Sequence, residues 1–392
     1  MIFRYPSYYD QFQCIADQCE DTCCAGWEID IDDESYEFYM SVEGEFGERL
    51  RANIKEYESD EEDVYESHGF ILKENKRCPF LNDCNLCDLY KELGEDALCY
   101  VCTYTPRNIL EYGGERELAI SASCPEAGRL IYGRKERTTF VERRISEELD
   151  FEEGQEEIFL AKQIRMARDR SIAVLQNREL GMEQRICNFL KYAEKVQECL
   201  NENEPEKIEG IALEPYLSET SVRMDEKLDT EQRHEYFLKR MRSVSGMDSI
   251  SEKWENMLQL LQTYYVEPED ASIRYERDIQ GYRQELRNQG REYEYEHLMV
   301  YYVFMCQSRC VDDYDFMGKA KLAVLSFLMI RDMDVARFRE NNGNYDFADR
   351  VAVAGIYAKE VEHSEENLDY LAEEFLFEDA YETAVLSQCV QT

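Results

Sequence analysis

Cysteines are the residues in this chain whose type and spacing can do chemistry. Ten of the 15 cysteines lie in the first 124 residues, and they are grouped. One group lies within CIADQCEDTCCAGW, a second within CPFLNDCNLC and a third within LCYVC, and one further cysteine follows in SCPEAGRL. Thiols this close together either form disulfides or bind a metal. The choice between these two decides the class of the protein.

The expected compartment favours metal over disulfides. The amino terminus, MIFRYPSYYDQF, has no basic region followed by an apolar run, so it is not typical of a secretory signal. No stretch reaches the roughly 18 uncharged apolar residues of a membrane span. We therefore expect a cytoplasmic protein. In that compartment clustered cysteines bind metal or act in catalysis more often than they pair.

The type of metal is left open by the spacing. Soft thiolates select zinc or iron–sulfur clusters. The two Cys-x2-Cys pairs that end at Cys87 and Cys102 could supply the four ligands of one structural zinc. Ten thiols exceed what one zinc uses, so either two sites exist or some thiols are structural. The adjacent Cys23 and Cys24 suit a larger cluster, unless one ligates while the other packs.

The net charge restricts the partners. Asp plus Glu number 85 and Lys plus Arg number 45, which gives a formal net charge of −40. Such a field repels nucleic acid and anionic membranes and attracts cations. We therefore expect no nucleic-acid or membrane partner. A lysine-rich protein partner is one interpretation of the acidity, and a solvated acidic surface is the other.

Several enzyme classes have no signature in the sequence. There is no G-x-G-x-x-G and no P-loop, so neither a Rossmann-type cofactor site nor an ATPase is indicated. The radical enzymes that cleave S-adenosylmethionine carry Cys-x3-Cys-x2-Cys. Here Cys19 and Cys23 begin that spacing, but Gly26 stands at the third position.

The elements that must position these residues divide the chain at about residue 135. Residues 1–135 are broken by short Gly and Pro signals, which suits a small irregular metal-binding module. Gly113-Gly114 between two β-prone runs predicts a hairpin. Residues 136–392 are predicted to be mostly helical, with a possible break at 202–229. The expected fold is mainly α, with the cysteine-rich module and its short hairpin packed on a larger helical body.

Apolar residues at three- and four-residue steps predict the individual helices. The run LAVLSFLMI is too short for a membrane span and predicts a buried helix. Inside the module, 34–58 and 86–93 have a helical pattern. In the body, helices are predicted at about 160–175, 182–201, 231–244, 251–265, 270–288, 292–309, 317–339, 346–361 and 366–388.

Two other patterns could bind a cation. If GWEIDID is extended, Glu28, Asp30 and Asp32 lie on one face, where they could orient a lysine ammonium. A half-buried strand gives the same alternation. The tyrosine-rich segment 292–306 could line a cage for a free or methylated ammonium, or it could be an aromatic helix core.

The strings around the cysteines carry a family resemblance. Taken in order, CEDTCCAGWEIDID, CPFLNDCNLCDLYKELGEDALC, CTYTPR and ELAISASCPEAGRL resemble the flagellin lysine-N-methylase family over about 120 residues. A shorter version of the pattern also resembles the broader group of zinc- or iron-chelating cysteine-cluster proteins. The rest of the chain is consistent with the methylase family in length and helical character, without a sharp motif.

The resemblance implies a cytoplasmic enzyme that transfers a methyl group from S-adenosylmethionine to lysines of flagellin. It also implies a cysteine-bound iron–sulfur cluster, of the 4Fe–4S type, tied to that activity. Cys84 is the weakest ligand candidate, because it stands where we expect a variable position. The ligand candidates carried over are Cys14, Cys19, Cys23, Cys24, Cys78, Cys87, Cys99, Cys102 and Cys124.

Two hypotheses of different class follow. The first is a metal-dependent protein-lysine methyltransferase, in which Glu28, Asp30 or Asp32 takes the proton that the target ammonium must lose. The second is a non-enzymatic zinc- or iron-binding interaction protein whose acidic helical body docks a basic partner.

Overall fold

Helices dominate the architecture. The computed structural model describes residues 2–57, 67–144, 154–218 and 227–391. Within these ranges there are sixteen α-helices and seven short strands, so the predicted mainly α class is confirmed. The strands are β1 (Ile2–Pro6), β2 (Asp30–Ile31), β3 (Ile54–Glu56), β4 (His68–Phe70), β5 (Arg107–Tyr112), β6 (Glu115–Ile120) and β7 (Phe140–Arg144).

The module contains two small sheets, of which the sequence patterns predict the hairpin and an extended segment in GWEIDID. Strands β5 and β6 form the predicted hairpin, and the left-handed Gly113 and Gly114 make its turn (φ 62° and 74°). This hairpin belongs to a four-stranded sheet of order β5-β6-β1-β7, in which β1 is parallel to β6 and antiparallel to β7. A three-stranded antiparallel sheet has the order β2-β4-β3.

Short helices fill the rest of the module. The helical prediction for 34–58 is only partly right, because Gly44 has a φ of +82° after α1 and the chain then continues into α2 and β3. Residue 58 lies outside the described residues. The prediction for 86–93 corresponds to α3. The module helices are α1 (Asp33–Ser41), α2 (Gly44–Arg51), α3 (Asp88–Leu93), α4 (Tyr100–Tyr104) and α5 (Pro125–Tyr132).

The helical body follows the predicted periodicity closely. Its elements are α6 (Gln155–Leu175), α7 (Met182–Asn201), α8 (Thr230–Ser245), α9 (Glu252–Tyr265), α10 (Ala271–Gln289), α11 (Tyr293–Cys306), α12 (Cys310–Asp313), α13 (Phe316–Glu340), α14 (Phe347–Glu362), α15 (Glu365–Phe377) and α16 (Thr383–Cys389).

The prediction at 366–388 is wrong in one respect. The chain forms two helices there, α15 and α16, joined by a 3-10 turn at Asp379–Tyr381. The side chains of Ala380 and Tyr381 are buried at this turn, which lets both helices lay an apolar face on the core. In the segment 202–229, two 3-10 turns at Pro205–Gly210 and Glu214–Leu217 agree with a break between long helices, and 219–226 lie outside the described residues.

Two hydrophobic cores hold the molecule together. The large core surrounds α13, whose LAVLSFLMI run is buried, as predicted. No described helix is long and apolar enough to cross a membrane. The smaller core lies inside the module, between Ile29 and Cys99. Residues 119–132 pack in the large core, so β6 and α5 are built into the helical body. The division of domains at residue 135 stays a prediction.

Candidate functional site

Five thiols gather at the small core of the module. The backbone N–H of Cys78 donates to the Cys24 carbonyl at 2.9 Å, which joins the first cysteine string to the second. Cys87 precedes α3, Cys99 precedes α4, and Cys102 lies within α4. All five pack in or against the same core. We call Cys24, Cys78, Cys87, Cys99 and Cys102 the inner thiol group.

Electrostatic effects confirm that the inner thiols are neighbours. A hydrogen bond with Cys99 raises the pKa of Cys102, burial raises it further, and the charges of Cys24 and Cys78 add to the rise. Burial raises the pKa of Cys78 to about 12, and the charges of Cys24 and Cys87 act in the same direction. Each inner thiol is therefore within electrostatic range of another.

Four further thiols lie outside the small core. Cys124 is the residue before α5, and it packs against the large core. Burial raises its pKa, and the charges of Cys19 and Cys14 raise it further. A hydrogen bond with Cys24 and burial raise the pKa of Cys23, to which the charges of Cys124 and Cys14 add. We call Cys14, Cys19, Cys23 and Cys124 the outer thiol group.

The donor chemistry of the inner thiol group fits an iron–sulfur cluster. Among the described residues, no three Cys, His, Asp or Glu side chains converge as the ligands of a single ion. The ligands of a polynuclear cluster surround a body of several atoms, and five soft donors around an apolar core match that requirement. Cys84 is exposed in the turn that Asn82 stabilises, apart from both groups.

The first two predicted acidic residues are engaged in polar contacts of the module. The Glu28 carboxylate is exposed and pairs with the Lys55 ammonium at 2.8 Å. The Asp30 carboxylate accepts a hydrogen bond from the Tyr57 hydroxyl at 2.8 Å. The isoleucines that alternate with these residues are buried, so the strand-type alternation of the sequence is present.

Asp32 caps a helix. Its carboxylate accepts from the Ser35 backbone N–H at 2.9 Å, as the N-cap of α1, and from the Tyr100 N–H at 2.7 Å. These hydrogen bonds counteract burial and lower the pKa of Asp32. The carboxylate thus joins the starts of α1 and α4. The three predicted residues lie close in sequence but contact different partners.

The CCAGW string docks the module on α14. Gly26 has a φ of +112°, and a Cβ there would lie 2.9 Å from Cε of Lys359. The Lys359 ammonium lies 4.6 Å from the centre of the Trp27 ring, and this ring stacks on His363 at 4.5 Å. Only glycine combines this backbone conformation with this close approach. The string therefore positions both thiol groups next to the last turns of α14.

Those last turns carry a shielded carboxyl group. Oε2 of Glu362 accepts hydrogen bonds from the Ser121 hydroxyl at 2.6 Å and from the Tyr301 hydroxyl at 2.7 Å. Oε1 is shielded from solvent and has no hydrogen-bond partner among the described residues. Burial raises the pKa of Glu362 to about 7, although the two hydrogen bonds oppose the rise. The carboxyl is therefore poised between its two protonation states near neutral pH.

Tyrosines surround this carboxyl. Each of five buried tyrosines has its pKa raised mainly by burial and further by the charge of Glu362. The hydroxyl of one of them, Tyr132, has no hydrogen-bond partner within the described part of the chain. We call the set the tyrosine cluster: Tyr8, Tyr132, Tyr301, Tyr302 and Tyr357.

The sequence pattern indicated two of the tyrosines in this site but not its carboxyl. Two members of the tyrosine cluster, Tyr301 and Tyr302, come from the tyrosine-rich segment 292–306, whose composition suits an ammonium cage or an aromatic helix core. Glu362 stands in no motif, and its role depends on contacts with Ser121 and Tyr301, both distant in sequence. No local signal could have identified it.

A cavity lies about two turns of α14 away from the carboxyl. Its volume is about 510 Å³, which is within the range of small-molecule sites. Gly355, Lys359 and Glu362 lie on one face of α14, with the first beside the cavity and the last about two turns further on. Residues that line the cavity include Glu20, Asp21, Ser123, Lys253, Met257 and Gly355.

The polar contacts of the cavity connect it to the carboxyl. The hydroxyl of Ser123 lies 3.0 Å from Nε2 of His363 and 2.8 Å from the hydroxyl of Ser121, which in turn donates to Glu362. A carboxyl with a pKa near neutrality can accept a proton from an ammonium, and tyrosine faces attract cations. The arrangement can thus accept a proton from a cationic amine, and Ser121 and Ser123 connect it to a cavity that admits a small molecule.

Comparisons with known proteins indicate the family. The sequence model of the FliB lysine N-methylase C-terminal domain matches residues 168–387, which is more than half of the chain. The matched region is the helical body, in which the sequence showed no sharp motif. It contributes Tyr301, Tyr302, Tyr357 and Glu362 to the candidate site. No solved structure matches the chain.

Individual relatives agree with the family model. The chain is 26% identical over 153 residues to the lysine-N-methylase of Salmonella typhimurium, covering 36% of this chain and 35% of that protein. It is 28% identical over 127 residues to the flagellar biosynthetic protein FliU of Salmonella muenchen, covering 31% of this chain and 71% of that protein. The match spans about a third of the length of the lysine-N-methylases. The chain belongs to the FliB lysine N-methylase family.

Proposed function

We propose that this protein is a protein-lysine N-methyltransferase that uses S-adenosylmethionine and acts on flagellin. Family membership and the names of the relatives support the reaction and the substrate. The observation that carries the proposal is the Glu362 carboxyl, which lies within the tyrosine cluster and is connected through Ser121 and Ser123 to a cavity. The net charge of −40 favours the approach of a lysine side chain.

In the proposed reaction, Glu362 prepares the nucleophile. The target lysine enters as an ammonium and gives a proton to the Glu362 carboxylate. The lone pair of the neutral amine then attacks the methyl carbon of the sulfonium, a new C–N bond forms, and the C–S bond breaks with its electron pair going to sulfur. The products are methyl-lysine and S-adenosylhomocysteine. Ser121 and Tyr301 orient the carboxylate for this transfer.

The cavity is the proposed site of the methyl donor. Its volume suits a ligand of this size, and its wall combines apolar side chains such as Met257 with the acidic Glu20 and Asp21. Both acidic residues already pair with cations, Glu20 with Arg129 and Asp21 with Lys253. We therefore assign recognition of the donor to the shape and polarity of the whole cavity.

The inner thiol group is the proposed holder of the iron–sulfur cluster that the resemblance implies. A bound cluster would supply redox-active or Lewis-acidic iron at the module core. Trp27, Lys359 and His363 would keep that core in contact with the end of α14.

Glu362 is a better candidate for the base than Glu28, Asp30 or Asp32. A general base works best when its pKa is near the working pH. The pKa of Glu362 is raised to about 7, whereas hydrogen bonds lower the pKa of Glu28 and Asp32. We therefore consider the three module carboxylates less suited than Glu362 to act as the base.

The base assignment is tested with Glu362→Gln. This change keeps the size of the side chain and removes its basicity, so we expect methyl transfer from labelled S-adenosylmethionine to flagellin to fall by about 10²–10⁴-fold. Glu365→Gln, at an exposed position in the first turn of α15, is the matched control and should retain activity. Full activity of the Glu362 variant would exclude this residue as the base.

A separate experiment tests the function itself. Anaerobically purified and reconstituted protein is incubated with labelled S-adenosylmethionine and flagellin, and lysine methylation is read by mass spectrometry. Methylated lysine is the expected product. If no lysine is labelled and calorimetry detects no binding of S-adenosylmethionine or S-adenosylhomocysteine, the protein would instead be a metal-binding interaction protein with a basic partner.

A further inference from the structure

We propose that Arg337 and Glu340 bind the amino-acid end of the methyl donor in the cavity. Arg337 would hold the carboxylate of the ligand, and Glu340 would hold its ammonium. S-adenosylmethionine and its product S-adenosylhomocysteine both carry this zwitterion at one end. The inference rests on the proposed function, because it assigns a binding role within the site proposed for the donor.

Three cationic side chains line the described wall of the cavity, and two of them are already neutralised. Both terminal nitrogens of Arg129 donate to glutamate carboxylates. The side-chain nitrogen of Lys253 lies 2.9 Å from a carboxylate oxygen of Asp21. A ligand carboxylate would have to displace one of these pairs. The third cation, Arg337, does not impose this cost.

Arg337 lies in the last turn of α13, and its donors are not engaged. Its Nε is shielded from solvent and has no hydrogen-bond partner in the described part of the chain. This nitrogen forms an ion pair with Glu340 at 3.4 Å, but the contact lacks hydrogen-bond geometry. A buried donor without a partner is unfavourable. A ligand carboxylate at the edge of the guanidinium would satisfy it, and two parallel hydrogen bonds of this kind are strong.

Glu340 completes a site for a zwitterion. It lies three residues after Arg337 on the same helix, and both residues line the cavity. Its carboxylate is 43% exposed, so it is open to an approaching ammonium. A cation and an anion side by side on one helix face match the two opposite charges of an amino-acid group.

The rest of the wall suits the adenosine part of the donor. Asn256 contributes an exposed side chain whose amide can hydrogen-bond the edge of an adenine. An apolar wall accommodates the flat ring and the ribose. The apolar residues of the wall include Met257, Leu260, Phe347, Val351 and Ile356.

Calorimetry with two ligands tests the assignment without any substitution. S-adenosylhomocysteine carries the amino-acid group, whereas methylthioadenosine has the same adenosine and a thioether without that group. Reconstituted wild-type protein should bind S-adenosylhomocysteine about 10- to 100-fold more tightly, because only this ligand makes the charged hydrogen bonds. Equal affinities would overturn the proposal.

Variants assign the preference to these residues. Arg337→Met should weaken the binding of S-adenosylhomocysteine by about 10- to 100-fold and leave that of methylthioadenosine unchanged. Glu340→Gln should also weaken only the first ligand. Arg339→Met is the matched control: it removes a cation of similar exposure from the same turn, outside the cavity, and its partner Asp278 keeps a pair with Arg277. This control should bind both ligands as the wild type does.

The outcomes separate this inference from the proposed function. If the wild type prefers S-adenosylhomocysteine and folded Arg337→Met keeps the whole preference, the amino-acid end binds elsewhere, and the inference fails while donor binding stands. An equal loss in Arg337→Met and Arg339→Met would also contradict it, because the effect would then be one of net charge. If the wild type binds neither ligand, the proposed donor site fails as well.

Discussion

At the scale of single residues, Glu362 is the member of its buried site whose pKa lies near neutrality. The tyrosine cluster stays protonated there, because burial raises the pKa of every member. Burial lowers the pKa of His363 to about 4, with help from Lys359, so its imidazole is neutral. Burial raises the pKa of Cys306 to about 12. Within the tyrosine cluster, a proton exchanged near pH 7 therefore belongs to Glu362.

The raised pKa of Glu362 predicts that the stability of the protein depends on pH. The pKa of Glu362 is about 7 in the folded chain against 4.5 in the unfolded chain, so the folded state binds the additional proton between these values. The free energy of unfolding contributed by this group therefore falls as the pH rises from 4.5 to 7, and the loss is complete above pH 7. Relative to wild type, Glu362→Gln should gain stability above pH 7, by up to about 3 kcal/mol.

Urea unfolding at pH 4.5 and pH 8 measures the effect. At pH 4.5 the two proteins should be equally stable, because the carboxyl is protonated in the folded state. Glu365→Gln should show no such difference between the two pH values. An equal effect of Glu362→Gln at both would mean that the carboxyl is not held neutral.

At the scale of elements, local patterns predict the helices, whereas tertiary contacts determine the partners of the acidic residues in GWEIDID. The stripe that predicted 182–201 corresponds to α7 at the same bounds. An amphipathic stripe is a local property, so it can be read without a structure. The alternation in GWEIDID was also real, but only Asp30–Ile31 form a strand, because the chain turns at Asp32 into α1.

Because Asp32 caps a helix, its removal should lower stability without lowering methyl-transfer activity. Asp32→Ala removes the acceptor for two backbone N–H groups, those of Ser35 and Tyr100. We expect the free energy of unfolding to fall by about 1–2 kcal/mol. Asp33→Ala, at the exposed next position, should cost clearly less. If Asp32→Ala instead abolished methyl transfer while the protein stayed folded, the module carboxylates would be better candidates for the base than Glu362.

At the scale of the whole molecule, a buried ionic network joins the helices that carry the site. Arg350 of α14 is fully buried and donates to Asp334 of α13 at 2.6 Å and to Glu294 of α11 at 3.1 Å. It also donates to the Tyr282 hydroxyl of α10 at 2.9 Å. One guanidinium thus fixes α14, and with it Glu362, relative to three other helices.

Arg350→Met tests this role. The substitution leaves the Asp334 carboxylate in the core without its cation, whereas Glu294 keeps its pair with Arg291. We therefore expect a loss of about 3–5 kcal/mol in the free energy of unfolding. Arg277→Met is the control: the Arg277 guanidinium is exposed and its partner Asp278 keeps a pair with Arg339, so the change should cost at most about 1 kcal/mol. Chemical denaturation of both variants gives the comparison. A loss below 1 kcal/mol for Arg350→Met would mean that the network does not hold α14 in place.

The sequence by itself determined the helical class, most helix bounds, the hairpin at Gly113-Gly114 and the grouping of the thiols along the chain. These are local properties, which the periodicity of apolar residues, the turn residues and the spacing of the cysteines indicate. It also led to the correct family through the cysteine strings, although the family model matches the helical body.

Only the tertiary structure decided which distant residues meet. It brought thiols from all three cysteine strings to one small core, and it brought Glu362 to Ser121 and Tyr301. A carboxylate has an ordinary pKa on a solvated surface and a raised pKa in an enclosed site. The chemistry of Glu362 therefore comes from its burial, which depends on how the helices and the module pack, and that packing is not visible in the spacing of residues along the chain.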